Sequence, residues 1–116
     1  MRALVVEDDP ELAAQLAARL SAEGYAVDVA PDGEEAAFLG DTEPYDVAVL
    51  DLGLPKLDGL SVLTGWRRRG AAFPVLILTA RAHWHEKVQG IDAGADDYLA
   101  KPFRIDRKST RLNSSH

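Results

Sequence analysis

The chain has 116 residues, 47% hydrophobic and 28% charged, which suits one soluble domain built on one core. A formal net charge of −6 makes the domain as a whole a poor match for the nucleic-acid backbone, and the lack of cysteine rules out disulfides and thiolate metal sites. No apolar run approaches the ~18 residues of a membrane helix, and "MRALVVEDDP" meets acids too soon to read as a signal peptide, so a cytoplasmic protein without membrane contact is expected.

Two periods alternate along the chain. "ALVV" (3–6) is a short continuous apolar run, as expected of a strand buried on both faces. "PELAAQLAARLSAEG" (10–24) carries Leu12, Leu16 and Leu20 at helical spacing, with Asp9 as N-cap, Pro10 at the first position and Gly24 at the end. "YAVDVA" (25–30) reads as a strand, "GEEAAFL" (33–39) as a short helix and "DVAVLDL" (46–52) as a second buried strand. "DGLSVLTGWRRRG" (58–70) reads as a helix capped by Asp58 and closed by Gly70, and "PVLILTA" (74–80) as a strand. "HEKVQGIDAG" (85–94) is a weaker helix and "DYLA" (97–100) a last short strand. Five strands alternating with four helices predict an α/β fold, a parallel sheet with helices on both faces.

In such folds ligands bind outside the carboxyl ends of the strands, where the strand order reverses. The residues at those ends therefore define the candidate site. Glu7, Asp8 and Asp9 follow the first strand, Asp51 ends the third, Thr79 ends the fourth and Lys101 follows the fifth. Converging carboxylates repel, and a hard divalent cation such as Mg²⁺ relieves that repulsion with oxygen ligands. A hydroxyl and an ammonium opposite could hold a tetrahedral anion. Together they suggest phosphoryl transfer to a carboxylate. Each residue also has a plainer reading: Asp9 as a helix cap, Asp8 as a loop acid, Thr79 as a strand end, Lys101 as a surface lysine. Asp51 resists that treatment, because it follows the buried run "VAVL" and burying an unpaired charge is costly.

"VVEDDP", "VLDLGLPKLDG", "LILTARA" and "GADDYLAKPF", in this order and spacing, resemble the receiver domain of two-component response regulators, from Met1 to about Ile105. "GADDYLAKPF" resembles the OmpR/PhoB class, and "DLGLPKLDGLSVLTGWR" with "LTARAHWHEKVQGIDAGADDY" resembles its PhoP-type members. The resemblance implies a flavodoxin-like (CheY-like) three-layer sandwich whose five-stranded parallel sheet runs in the order 2-1-3-4-5. It implies Asp51 as phosphoacceptor, with Glu7, Asp8, Asp51 and the Gly53 carbonyl around Mg²⁺. Thr79 and Lys101 would grip the phosphoryl oxygens, and Thr79 with Tyr98 would form the switch. The Lys101–Pro102 peptide would be cis. Lys87, Asp92, Asp96, Asp97 and Arg104 match the class's dimer face, formed by the fourth helix and fifth strand. The implied partners are a sensor histidine kinase, a second copy of the chain when phosphorylated, and DNA only through an output domain outside this sequence. The implied protein is a phosphoacceptor rather than an enzyme, with Mg²⁺-dependent self-phosphorylation and autodephosphorylation.

Other readings fit less well. A haloacid-dehalogenase-type phosphohydrolase needs a second acid two residues after its nucleophile, where Asp51-Leu52-Gly53 has glycine. A flavodoxin-like FMN carrier needs a hydroxyl- and glycine-rich phosphate loop, and "EDDPE" would repel the phosphate. His83 and His85 are two apart and do not share a helix face. Arg67, Arg68 and Arg69 read as a solvated helix end beside the C-terminal dipole, and Trp66 and Trp84 as packing residues. After Ile105 the class would continue into a fifth amphipathic helix. "DRKSTRLNSSH" (106–116) has no apolar stripe and instead matches, in one frame, the translation of a common sequencing-library adapter. The receiver is therefore expected over 1–105, with its last helix missing and a non-native tail over 106–116.

Overall fold

The computed structural model describes residues 1–79, Gly94 and 97–100, with Thr79 and 97–100 described by their backbone. Its elements are β1 (Arg2–Val6), α1 (Pro10–Ala22), β2 (Ala26–Ala30), α2 (Gly33–Thr42), β3 (Val47–Asp51), α3 (Gly59–Arg68), β4 (Val75–Thr79) and β5 (Asp97–Ala100). All strand pairs are parallel and the sheet order is β2-β1-β3-β4-β5, as the resemblance implied. The helix read over 85–94 apart from Gly94, the cis peptide, Trp84, Lys87, Asp92, Asp96, Lys101, Arg104 and the tail 106–116 lie outside the described residues.

The apolar runs behave as continuous runs should. Ala3–Val6 and Ala48–Leu50 are almost wholly buried, because helices cover both sheet faces. On one face Leu16 and Ala13 of α1 pack on Val5, Val49 and Leu78. On the other, α2 and α3 bring Ala36, Val62, Leu63 and Trp66 onto Leu4, Val6, Leu50 and Ile77. Trp66 is fully buried and its indole N–H donates to the Ala36 carbonyl at 3.2 Å, so it is a packing residue.

The helix boundaries follow their caps. The Asp9 carboxylate accepts from the Glu11 and Leu12 amides, Asp32 from Glu35, and Asp58 from Ser61. Helix α1 is ended by Gly24 as its sequence suggests, with Glu23 as C-cap and Gly24 just past it in the left-handed region at φ +97°. Helix α2 runs three residues further than its apolar pattern, through Gly40. A Cβ on Gly40 would strike the Trp66 indole, so this glycine serves helix–helix packing and does not end the helix.

Candidate functional site

The switch point of the sheet lies between β1 and β3, whose carboxyl ends deliver the acidic residues. Glu7 follows β1 directly, and its backbone N–H still pairs with the Ala30 carbonyl at 3.1 Å, so it leaves the sheet in a fixed direction. Its side chain is 1% exposed, and one carboxylate oxygen accepts from the Asp9 amide at 3.0 Å. Asp8 is exposed. Asp51 ends β3 and is 5% exposed. The Asp51 Oδ1 accepts from the Gly53 amide at 3.1 Å, which ties the following loop to this carboxylate.

One carboxylate oxygen from each of Glu7, Asp8 and Asp51 lies within 4.8 Å of the others. Two full charges at that separation repel by roughly 3 kcal/mol at an effective dielectric of about 20. The donor set is all oxygen, anionic and compact. It suits a small hard cation that takes one or two carboxylates and keeps waters or phosphate oxygens in its remaining positions. Mg²⁺ fits this chemistry. Asp9 is not in the cluster, because its carboxylate is committed to capping α1.

The loop after β3 is braced from two sides. The Gly59 N–H donates to the Leu52 carbonyl at 3.2 Å, and a Cβ on Gly59 would strike the Asp51 carbonyl. The first residue of α3 thus lies directly on the backbone of the site. Lys56 adopts φ +69°, closing a tight turn in which the Leu57 N–H reaches the Pro55 carbonyl at 2.8 Å. The Gly33 N–H donates to that same carbonyl at 3.3 Å, and the Lys56 ammonium lies 3.5 Å from Asp32. Helix α2 therefore anchors the loop that Asp51 begins.

The remaining candidates are placed by the backbone. Asp51 is in register with Leu78, so Thr79 is one residue past that partner at the end of the adjacent strand. Thr79 is in register with Ala100 and Ile77 with Tyr98, which aligns the end of β5 with the same edge. Lys101 follows Ala100 in sequence.

One residue departs from the sequence reading. Arg67 is not a solvated arginine: Nε and Nη2 donate to the Gly94 carbonyl at 3.1 and 2.8 Å. Nη1 donates to the carbonyls of Ala71 at 3.0 Å and Phe73 at 2.8 Å. Its neighbours behave as read, with Arg68 and Arg69 exposed and Arg69 paired with Asp41 at 2.6 Å. Helical phase separates them. Arg67 shares a face with Leu63, fully buried on the sheet side, four residues earlier.

A doubly wound parallel sheet with an acidic crevice at its β1/β3 switch point defines a class, and known proteins place this chain within it. The family model of the response regulator receiver domain matches residues 3–113, and the chain belongs to that family. It is 47% identical over 114 residues to the two-component response regulator PhoP of Pseudomonas aeruginosa, an alignment that covers 98% of this chain and 51% of that protein. The chain thus spans about half the length of the curated relatives it matches. It superposes with TM-score 0.82 and 35% identity on a Burkholderia pseudomallei response regulator that carries a phosphorylated aspartic acid, a calcium ion and citrate, covering 90% of this chain and 61% of that one. The receiver domain of the Pseudomonas aeruginosa sensor histidine kinase PA1611, with magnesium coordinated in its active-site cleft, gives TM-score 0.80 at 35% identity, covering 89% and 86%. The family match includes residues 106–113, part of the segment that resembles adapter.

Proposed function

We propose that this receiver accepts a phosphoryl group on Asp51 and that Glu7, Asp8, Asp51 and the Gly53 carbonyl hold Mg²⁺ beside it. The observation that carries the reading is the cluster of three carboxylates, with the buried Asp51 at the end of a central strand. When bound, Mg²⁺ supplies positive charge that offsets the carboxylates and the phosphoryl oxygens. The solved relatives that carry a phosphorylated aspartic acid in one case and magnesium in another support the same assignment.

In this reading one carboxylate oxygen of Asp51 attacks the phosphorus of a phosphohistidine on a sensor kinase. An O–P bond forms as the P–N bond breaks, and the electron pair leaves with the imidazole of the donor. The Gly53 amide, bonded to Oδ1, fixes the rotation of the carboxylate before the attack. Thr79 and Lys101 neutralise the transferred oxygens from the side of β4 and β5. Thr79 then moves toward the acyl phosphate and Tyr98 fills the space behind it. This two-state switch favours pairing of two copies through Lys87, Asp92, Asp96, Asp97 and Arg104. DNA would be bound by an output domain of the parent protein. Residues 106–116 take no part, and the codons of the tail decide whether it derives from adapter.

The test is direct. Asp51→Asn keeps the shape and removes the nucleophile, so labelling by acetyl phosphate with Mg²⁺ should disappear while the folded far-UV spectrum stays. Persistent label on the Asp51→Asn protein would overturn the assignment.

A further inference from the structure

We propose that Arg67 is a positioning residue for the phosphoryl site: its guanidinium holds Gly94, three residues before β5, and so fixes the register in which β5 pairs with β4 at the carboxyl end of the sheet. This rests on the function proposed above for the far end of β5. The clamp itself rests on geometry alone.

Among the described residues the guanidinium makes four donations to three carbonyls. One edge, Nε and Nη2, closes on Gly94, three residues before β5. The other side, Nη1, holds Ala71 and Phe73 in the segment that leads into β4. One side chain thus ties the entry of β5 to the entry of β4. The Phe73 ring packs beneath it, with the guanidinium carbon 5.9 Å from the ring centroid.

Gly94 is shaped for this contact. Its φ of +114° belongs to the region that favours glycine, and a Cβ there would lie 2.8 Å from Arg67 Cγ and 2.9 Å from Nε. Turn and guanidinium therefore require each other.

The need for a clamp follows from the place of β5 in the sheet. It is an edge strand of four residues, paired with β4 alone among the described strands. A short edge ladder resists slippage weakly, and a slip of one residue sends every side chain to the opposite face. Such a slip would undo the pairing of Tyr98 with Ile77 and of Ala100 with Thr79 at the carboxyl end of the sheet. Asp51 ends β3 and Glu7 and Asp8 follow β1, so all three would be left in place. Loss of Arg67 should therefore separate two properties that a general loss of fold would change together. Lysine offers its donors from a single nitrogen and cannot grip carbonyls on two sides, so Arg67→Lys should not restore function.

The experiment uses the full chain as wild type, Arg67→Lys, Arg67→Gln and Gly94→Ala, all well below their melting temperatures. Mg²⁺ affinity should stay within about twofold, while the rate of labelling by acetyl phosphate should fall at least roughly tenfold in each variant, since a group misplaced by about 1 Å already loses on the order of a hundredfold. Amide exchange of residues 97–100 should accelerate in the variants, while that of β1 and β3 stays unchanged. Unchanged labelling with only a lowered melting temperature would overturn the proposal, and so would Mg²⁺ affinity and labelling falling in parallel. If the wild type takes no label, the phosphoacceptor reading fails. The exchange data then still decide the clamp: unaltered β5 exchange in all three variants overturns it.

Discussion

Tyr45 and Asp28 show how single side chains connect distant elements. The Tyr45 hydroxyl donates to Asp28 Oδ2 at 2.8 Å, and Arg2 closes the group by reaching both Asp28 and Glu43. The Tyr45 hydroxyl, and then Arg2, hold the Asp28 carboxyl below its ordinary range. Burial raises the Tyr45 hydroxyl well above its own. A depressed carboxyl adds stability that is present above its unfolded-state value, about 4, and is lost as the pH falls through the lower folded-state value. Tyr45→Phe should therefore cost about 0.5–1 kcal/mol at pH 7 in urea melts, the low end for such a bond because Asp28 is 37% exposed. The difference should shrink below pH ~4; a constant difference from pH 7 to pH 3 would refute the linkage. At this same scale, the acids of the site were legible in the sequence, because strand ends can be counted and Asp51 follows a buried run. Arg67 was not legible. It stands in a run of three arginines, and only the helical phase fixed by packing turns one of them inward.

Helices α2 and α3 carry the lesson at the scale of elements. They meet where Gly40 lies against the Trp66 indole. The sequence pattern suggested a helix over 33–39, and glycine is a weak helix former at the next position. The helix continues because the absent side chain lets two helices approach, a tertiary gain that outweighs propensity. Strand and helix types were legible throughout the described chain, since continuous runs and helical stripes differ over these lengths. Ends were less so, because caps and packing compete there. Gly40→Ala separates the two effects. Propensity alone would stabilise the helix by up to about 1 kcal/mol, whereas forcing a methyl into the indole should cost about 1–3 kcal/mol. The expected net is destabilisation, read as a lower urea midpoint with an unchanged slope. A stabilised protein would show that the contact yields easily.

Across the whole molecule, the three clustered carboxylates are part of a formal net charge of −6, so the fold carries its candidate site as a standing electrostatic cost. That cost gives metal binding a thermodynamic signature that can be read without any phosphodonor. A ligand that binds only the folded state at a hundred times its dissociation constant adds about 2.7 kcal/mol, which for a chain of this size raises the melting temperature by on the order of 10 °C. Saturating Mg²⁺ should produce such a rise, and EDTA should reverse it. Sodium chloride at matched ionic strength should produce much less, because screening weakens the repulsion without coordinating the oxygens. Asp8→Asn should then behave with opposite signs in the two states. Without Mg²⁺ it relieves repulsion from Glu7 and Asp51, and the exposure of Asp8 limits the gain to about 1 kcal/mol or less. With Mg²⁺ it removes a ligand, and most of the metal-induced rise should vanish. Calorimetry of both proteins in Mg²⁺ and in EDTA provides the comparison. If Asp8→Asn melts below wild type in EDTA, the carboxylates do not repel in the folded state. If it keeps the full rise in Mg²⁺, Asp8 is not a ligand.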